Sequence, residues 1–336
     1  MKTFSWPIIG HTKIKNFLQK SIFNQSMAHA YIFYGPSDVG KNLTAEYFSK
    51  SILCKAYQTE EVQLPCNTCE SCKQFDKGLY ADLFYVEREI DEKTNKKKQN
   101  ITVQQIRELQ KKINKRAFLN SFKIVIIKEA HTLNKEASNS LLKTLEEPTE
   151  KTILILITES KELLLPTIIS RCQAFKFMPI KSTEIYDYLI QKSIDRTNAL
   201  EISKLCLGRP TKAIEFANSL EKFTEFKQQN RDLLLFFDKN PVARFKFIEK
   251  ISAKQPNLDD LCQKLNYLGA LIRDIVFFQT YNQNLAVNFY LENQIKELAE
   301  QISLERANLL IKKIEQSKQL IRQNVNPRLV LENLII

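Results

Sequence analysis

Glycine is scarce in this chain, with six among 336 residues, and two of the six fall in one heptapeptide, Gly35-Pro-Ser-Asp-Val-Gly-Lys41. It follows a short apolar run, Ala30-Tyr-Ile-Phe-Tyr34. It precedes a stretch that puts Leu43, Tyr47, Phe48 and Ile52 on one side of a helix. A Gly-x4-Gly-Lys loop between a strand and a helix has the form of a phosphate-binding P-loop. Its glycines let backbone N–H groups face phosphate oxygens, and the helix N-terminus adds partial positive charge. Lys41 is the residue that would hold the β and γ phosphates.

The rest of the first half fits that start. Phe122 to Ile127 and Ile153 to Ile157 read as two further buried strands. A helix from about Asn134 to Glu146 lies between them and stops at Pro148. Strands separated by helices predict a parallel sheet covered on both faces. After Pro179 the pattern turns helical. Ser182-Thr-Glu-Ile opens a helix with a cap, and two short helices follow, broken at Gly208-Arg-Pro210. The polar stretch Glu221 to Arg231 joins this small bundle to a larger helical region. There Leu304, Ala307, Ile311, Ile314 and Ile321 form one stripe, read as core packing. The expected organisation is α/β followed by all-α: an α/β P-loop domain over residues 1–179, a helical lid over 180–220 and a helical domain over 221–336.

The P-loop lacks its usual partners. The residue after Lys41 is normally Ser or Thr, whose hydroxyl binds Mg²⁺, and here it is Asn42. The strand that ends with a metal-binding acid reads Ile124-Val-Ile-Ile-Lys128-Glu129. Lys128 stands where the acid belongs. At about 4 Å and an effective dielectric of about 20, a lysine repels Mg²⁺ by several kcal/mol. Glu129, at the general-base position, is kept. The site is therefore expected to be degenerate, with ATP or ADP bound weakly if at all.

Cys54, Cys66, Cys69 and Cys72 follow a C-x11-C-x2-C-x2-C pattern. Four thiolates at that spacing predict a closed, structural Zn²⁺ site, with a redox pair or free thiols as the alternatives. Cys206 and Cys262 read as core, and His11, His29 and His131 share no ligand spacing. No run approaches the ~20 apolar residues of a membrane span, and the N-terminus lacks signal-peptide features. The expected location is cytoplasmic. Lys plus Arg exceed Asp plus Glu by 12 (50 against 38), which favours a polyanionic partner such as nucleic acid. The block Gln104 to Arg116 holds five of the cations: Arg107, Lys111, Lys112, Lys115 and Arg116.

These motifs together resemble the AAA+ clamp-loader subunits of bacterial replication. His29 to Lys41 looks like the family's P-loop region, and the cysteines follow the P-loop helix as its zinc module does. Asn139-Ser-Leu-Leu-Lys-Thr-Leu-Glu-Glu-Pro148 is the most distinctive stretch. Leu165-Pro-Thr-Ile-Ile-Ser-Arg-Cys172 carries the Ser-Arg-Cys motif, and Asn324 to Glu332 is similar to the close of the collar domain. The resemblance implies a RecA-like AAA+ domain, a lid and an oligomerising collar. It implies partners: a delta subunit, gamma or tau motor subunits, the sliding clamp indirectly, and primer-template DNA. It implies that Arg171 acts catalytically in trans, on ATP held by a neighbouring motor subunit. Thr158 matches the first sensor. The second sensor's arginine is replaced by Thr211, with Arg209 and Lys212 beside it. Arg107, Lys111 and Lys115 become candidates for contacts to template phosphates, which position without reading sequence. Asn42, Lys128 and Thr211 favour a non-hydrolysing, stator-like subunit of the DNA polymerase III clamp loader. The competing readings are an active motor ATPase of the same ring and a free-standing zinc-containing DNA-binding protein.

Overall fold

The computed structural model describes residues 2–59, 62–91, 96–115, 117, 122–252, 258–323 and 325–335. Arg116 and Asn324, named above, lie outside them. The chain divides into two compact units, Met1–Tyr188 with Gly208–Lys212, and Leu189–Leu207 with Ala213–Ile336.

The first unit is built on five parallel strands: β1 (Ala30–Tyr34), β2 (Leu83–Val86), β3 (Lys123–Ile127), β4 (Thr152–Thr158) and β5 (Gln173–Lys176). Their order across the sheet is β2-β3-β4-β1-β5. This is the α/β P-loop architecture the motifs predict. β1, β3 and β4 match the three strands read from the sequence. β2 and β5 were not legible, because Leu83-Phe-Tyr-Val86 and Gln173-Ala-Phe-Lys176 are short and lie at the sheet's edges.

Both faces are covered. Tyr31, Phe33, Ile124, Ile126, Ile153 and Ile155 point into one buried cluster, and the alternate residues Ala30, Ile32, Val125, Ile127, Leu154 and Leu156 into the other. Period-2 alternation with every position apolar is what a two-faced buried strand requires. Each such side chain contributes about 1.5–3 kcal/mol when fully buried. The helices α1 (Thr12–Phe23), α2 (Lys41–Leu53), α3 (Glu70–Asp76), α4 (Val103–Ile113), α5 (Lys135–Glu146) and α6 (Pro166–Ile169) belong to this unit. α5 begins where Asn134 accepts the Ala137 N–H at 2.7 Å, a side-chain cap. Ile90–Asp91 and Lys96–Lys97 pair antiparallel as a short hairpin.

α7 (Ser182–Gln191), α8 (Arg196–Leu205) and α9 (Pro210–Asn218) follow. The second unit is helical, with α10 (Leu220–Asp232), α11 (Pro241–Ile251), α12 (Leu258–Gln279), α13 (Glu292–Gln301), α14 (Leu304–Arg322) and α15 (Pro327–Ile335). The polar joining stretch is α10 itself, which buries Phe223 and Phe226 against Phe216. On α14 the buried stripe runs through Ala307, Leu310, Ile314, Ser317 and Ile321. Leu304, expected on that stripe, is 44% exposed, because the true 3-4 spacing is in phase with Leu310. No described helix is long and apolar enough to cross a membrane.

Gly35 closes the turn after β1 with φ +143°, and a Cβ there would sit 2.0 Å from the Phe177 carbonyl oxygen. Gly40 also has positive φ, +99°, but open space around it. Gly35→Ala is therefore expected to cost about 3 kcal/mol or more, and Gly40→Ala about 1–2 kcal/mol from backbone strain alone. Urea unfolding of the two variants checks the order, and equal losses would contradict the overlap at Gly35.

Candidate functional site: a P-loop edge with altered charges

The C-terminal ends of the parallel strands bring together the residues assigned to the nucleotide site. Gly35 donates its N–H to the Glu159 carbonyl at 3.1 Å, fixing the P-loop to the end of β4. The His11 ring bonds the Val39 carbonyl at 2.9 Å and packs edge-on to Phe177. From the far side, the Thr211 N–H donates to the Asp38 carbonyl at 3.1 Å. Lys41, only 7% exposed, donates to the Gly35 carbonyl at 2.6 Å and also to that of Pro36. Burial pulls its ammonium down to about 8, against the raising pull of Glu159 and Asp38, while Arg209 adds to the lowering.

The positions where metal anchors would stand carry Asn42 and Lys128. Asn42 is exposed in the first turn of α2. Lys128 lies over the Tyr85 ring at 5.0 Å and 3.8 Å from the Glu87 carboxylate. Glu129, in a left-handed conformation, is gripped by Arg88: Nε donates to Oε2 at 2.9 Å and Nη2 to Oε1 at 2.8 Å. Lys97 of the hairpin stands 3.7 Å from the same carboxylate. Burial raises the Glu129 carboxyl, but the Arg88 bonds and the charges of Arg88, Lys97 and His131 outweigh it and hold it below the usual range. Thr158 is buried at the end of β4, near the His131 ring at 3.3 Å and donating to the Ser160 carbonyl at 3.0 Å.

The four cysteines converge. Cys54 caps the C-terminus of α2, and Cys69 caps the N-terminus of α3. Their sulfurs lie within 4.8 Å of one another, with Cys54–Cys66 at 3.4 Å, Cys54–Cys69 at 3.9 Å and Cys66–Cys72 at 3.9 Å. Four sulfurs held about 2.3 Å from a central ion have edges of about 3.8 Å. All four thiols are free. The Cys69 and Cys72 N–H groups donate to the sulfurs of Cys66 and Cys69, each at 3.4 Å, as befits thiolate ligands. The Cys54–Cys72 hydrogen bond draws the Cys54 thiol down and pushes that of Cys72 up, and cysteine ligates a metal as the thiolate. The set could hold one metal ion. Lys50 ties it to α2, bonding Asn67 and Asp76 at 2.7 Å each.

Arg171 follows α6, half-exposed, with Nη2 on the Glu146 carboxylate at 2.9 Å and Nη1 on the Thr167 carbonyl at 3.0 Å. On α4, Ile106, Leu109 and Ile113 are buried, and Arg107, Lys111 and Lys112 lie exposed, with Lys115 just past the helix end. No ion pair engages these four cations among the described residues. Behind them the buried Lys123 donates to the carbonyls of Ile113 and Lys115, closing the end of α4.

Arg88 is the functional residue that motif reading missed. The β2–β3 register, Val86 opposite Ile127, sets Arg88 opposite Glu129 when continued by two residues. Only the pairing of the two strands carries that signal. Arg88→Met strands a carboxylate that is 29% exposed, an expected loss of about 1–3 kcal/mol at pH 7. Glu129's carboxyl is held below its usual 4.5, so the pair's contribution is present above that pH and fades as pH falls through the depressed value. The gap between wild type and variant in urea unfolding should shrink below about pH 4.5. A gap unchanged at pH 3 would show that Arg88 acts by packing.

Comparison with known proteins agrees with this arrangement. The family model described as DNA polymerase III, delta subunit, matches residues 10–181, just over half of the chain, and that of its C-terminal region matches residues 224–336. The chain is 29% identical over 332 residues to DNA polymerase III subunit delta' of Bacillus subtilis, covering 96% of this chain and 94% of the relative. It is 39% identical over 145 residues to subunit delta' of Pseudomonas aeruginosa, covering 43% of this chain and 42% of the relative. It is also 29% identical to subunit tau of Bacillus subtilis, aligned over 98% of this chain but only 60% of that relative. A P-loop sheet, a clustered cysteine set and a helical second unit, matched along both halves by these models, mean that the chain belongs to the DNA polymerase III delta-subunit family.

Proposed function

We propose that this chain is a non-hydrolysing, delta'-like subunit of the DNA polymerase III clamp loader, supporting ATP-dependent loading of the sliding clamp onto primer-template DNA. The observation that carries the reading is the charge at the sheet edge. A general base must be free to accept a proton from the attacking water. Glu129 is instead held by both forks of Arg88, with Lys97 alongside, and Lys128 stands where a metal-binding acid belongs. The same features disfavour a motor ATPase of the tau type, despite the similar sequence.

The subunit's work would then be done for its neighbours. Arg171 is the group offered in trans to ATP on an adjacent motor subunit. Its present partner, Glu146, is an exposed pair worth about 0–1 kcal/mol, which a phosphate can displace. Arg107, Lys111 and Lys115 are the exposed cations offered to template phosphates. Residues 1–179, 180–220 and 221–336 would serve as motor-like domain, lid and collar, with delta and gamma or tau as ring partners and a cytoplasmic location.

Arg171→Ala should leave the chain's stability within about 1 kcal/mol and leave the ring assembled. DNA-stimulated ATPase of the assembled ring should fall by ~10³ at the adjacent motor site, if Arg171 acts as arginine fingers do elsewhere. Lysine should not rescue it, because the planar fork is lost. An assembled Arg171→Ala ring with wild-type ATPase and clamp loading would end the assignment.

The metal is proposed to be zinc, in a structural role. Its four sulfur ligands leave no open position, so it would supply cross-linking and no chemistry. Elemental analysis of purified protein should give one zinc per chain. Removal by a chelator should lower the thermal midpoint, and a metal-free preparation of equal stability would remove the claim.

A further inference from the structure

In the second unit, a cavity of about 260 Å³ opens between α13, α14, α15 and the turn Leu233–Phe237 that precedes α11. Its lining grades from apolar to cationic. Phe236, Leu310, Leu334 and Ile335 are buried and form the floor, with Leu298 and Ile302 half-buried above them. Lys239, Gln301 and Arg306 are exposed and line the mouth, and Arg244 stands half-buried between floor and mouth. Among the described residues Asp238 is the one acid in the lining, and its carboxylate already accepts the Asn240 N–H at 2.8 Å. Three cations thus face one acid that is engaged in its own turn.

Arg244 is placed by the end of α15, where its Nη1 donates to the Ile335 carbonyl at 3.0 Å. Its Nε is fully enclosed and has no partner among the described residues. A buried donor left without an acceptor is costly, and a guanidinium has five N–H groups to satisfy. The side chains of Arg306 and Lys239 make no hydrogen bond or ion pair among the described residues. The helix ends do not answer this charge. The C-terminal carbonyls of α13 and α15 that reach the cavity are already bonded: Gln279 takes those of Ala299 and Ile302, and Arg244 takes that of Ile335. The first turns of α11 and α14, which carry Arg244 and Arg306, add the positive ends of their dipoles.

We propose that this cavity captures the C-terminal carboxylate of a partner polypeptide whose last residue is aliphatic. The carboxylate is held by the guanidinium groups of Arg244 and Arg306, and the aliphatic side chain rests on the floor of Phe236, Leu310 and Leu334. A planar monoanion suits arginine forks, which bond carboxylates in pairs. Apolar walls below the cations disfavour a purely polar anion such as phosphate, which would give up hydration over the floor for no new bond. The space is smaller than the ~300 Å³ at which pockets for drug-sized ligands begin, and admits about one or two residues. Only at a chain's end do a carboxylate and an aliphatic side chain share one carbon atom, as the short step from mouth to floor requires. The site lies in the second unit and stands apart from the reading of the P-loop edge.

The test is fluorescence anisotropy on the full chain at pH 7. The probe is an N-terminally labelled hexapeptide ending in Leu-Leu with a free carboxylate. Beside it run the same peptide amidated, one ending in Leu-Ser, and octanoate as an unlabelled competitor. The free acid should bind. The amide should bind about tenfold or more weakly, the usual loss for a hydrogen bond to a charged group. The Leu-Ser end should also lose about tenfold, from the missing burial of one aliphatic side chain. Arg306 is exposed, so Arg306→Met should keep the thermal midpoint of the wild type. It should weaken the free acid by about tenfold and leave the amide unchanged, a difference that a merely structural change would not produce. Arg306→Lys, which keeps the charge without the fork, should recover only part of the loss. Undetectable binding of the free acid at millimolar peptide, equal binding of acid and amide, wild-type affinity in Arg306→Met, or displacement by octanoate at the peptide's own affinity would each overturn the proposal. So would binding that appears only after deletion of Ile336, which would give the site to this chain's own last residue. None of these readings depends on ATP, so the outcome leaves the Arg171-dependent ring assay standing, and the ring assay leaves this one standing.

Discussion

The register of five parallel strands decides nearly everything chemical in this protein. Parallel pairing aligns all the strand ends, so the loops leaving them meet along one edge. Tyr34 pairs with Thr158 and Val86 with Ile127. Those pairs put the P-loop, Glu159, Arg88 and Glu129 side by side although they come from distant parts of the chain. A shift of one residue in any pair would exchange the side-chain sets of the two faces and scatter the edge. Packing of the two faces is therefore what enforces the arrangement of charge.

That edge keeps the architecture of a nucleotide-hydrolysing site with its electrostatics changed. Cations have been added where a metal and a free base would act: Lys128 at the acid's place, and Arg88 with Lys97 on Glu129. The P-loop backbone keeps its form, with positive φ at Gly35 and Gly40 and Lys41 buried. Loss of catalysis needs only a few side chains, while loss of the loop would damage the sheet through Gly35 and Phe177. Retention of the P-loop in a chain proposed not to hydrolyse ATP thus has a structural reason.

α2 links this edge to the cysteine module. Its N-terminus begins at Lys41 and its C-terminus ends at Cys54, and Lys50 and Ser51 on its last turns bond Asp76 and Trp6. A metal ion held by Cys54, Cys66, Cys69 and Cys72 would cross-link the end of the P-loop helix to the segment that follows it. In the second unit, α12 and α14 pack closely where Gly269 faces Ile314, and the fully buried Asp274 accepts the N–H groups of Val287 and Asn288. That carboxylate organises the turn before α13 and has no solvent contact.

The sequence by itself determined what depends on neighbours in the chain. The P-loop, the cysteine spacing, the three central strands, α5 and the presence of Asn42 and Lys128 in place of the metal anchors were all legible, because each is a local pattern of residue type and spacing. The edge strands β2 and β5 were not, since four residues with one exposed face carry little periodic signal. The phase of α14 was misread for a related reason: Leu304 is apolar, and only contact with α12 tells which apolar residues turn inward. The clamp on Glu129 was decided by tertiary structure alone. Arg88 lies 41 positions before Glu129. Electrostatic pairing acts through space at a few ångströms, so no local pattern in the chain encodes it.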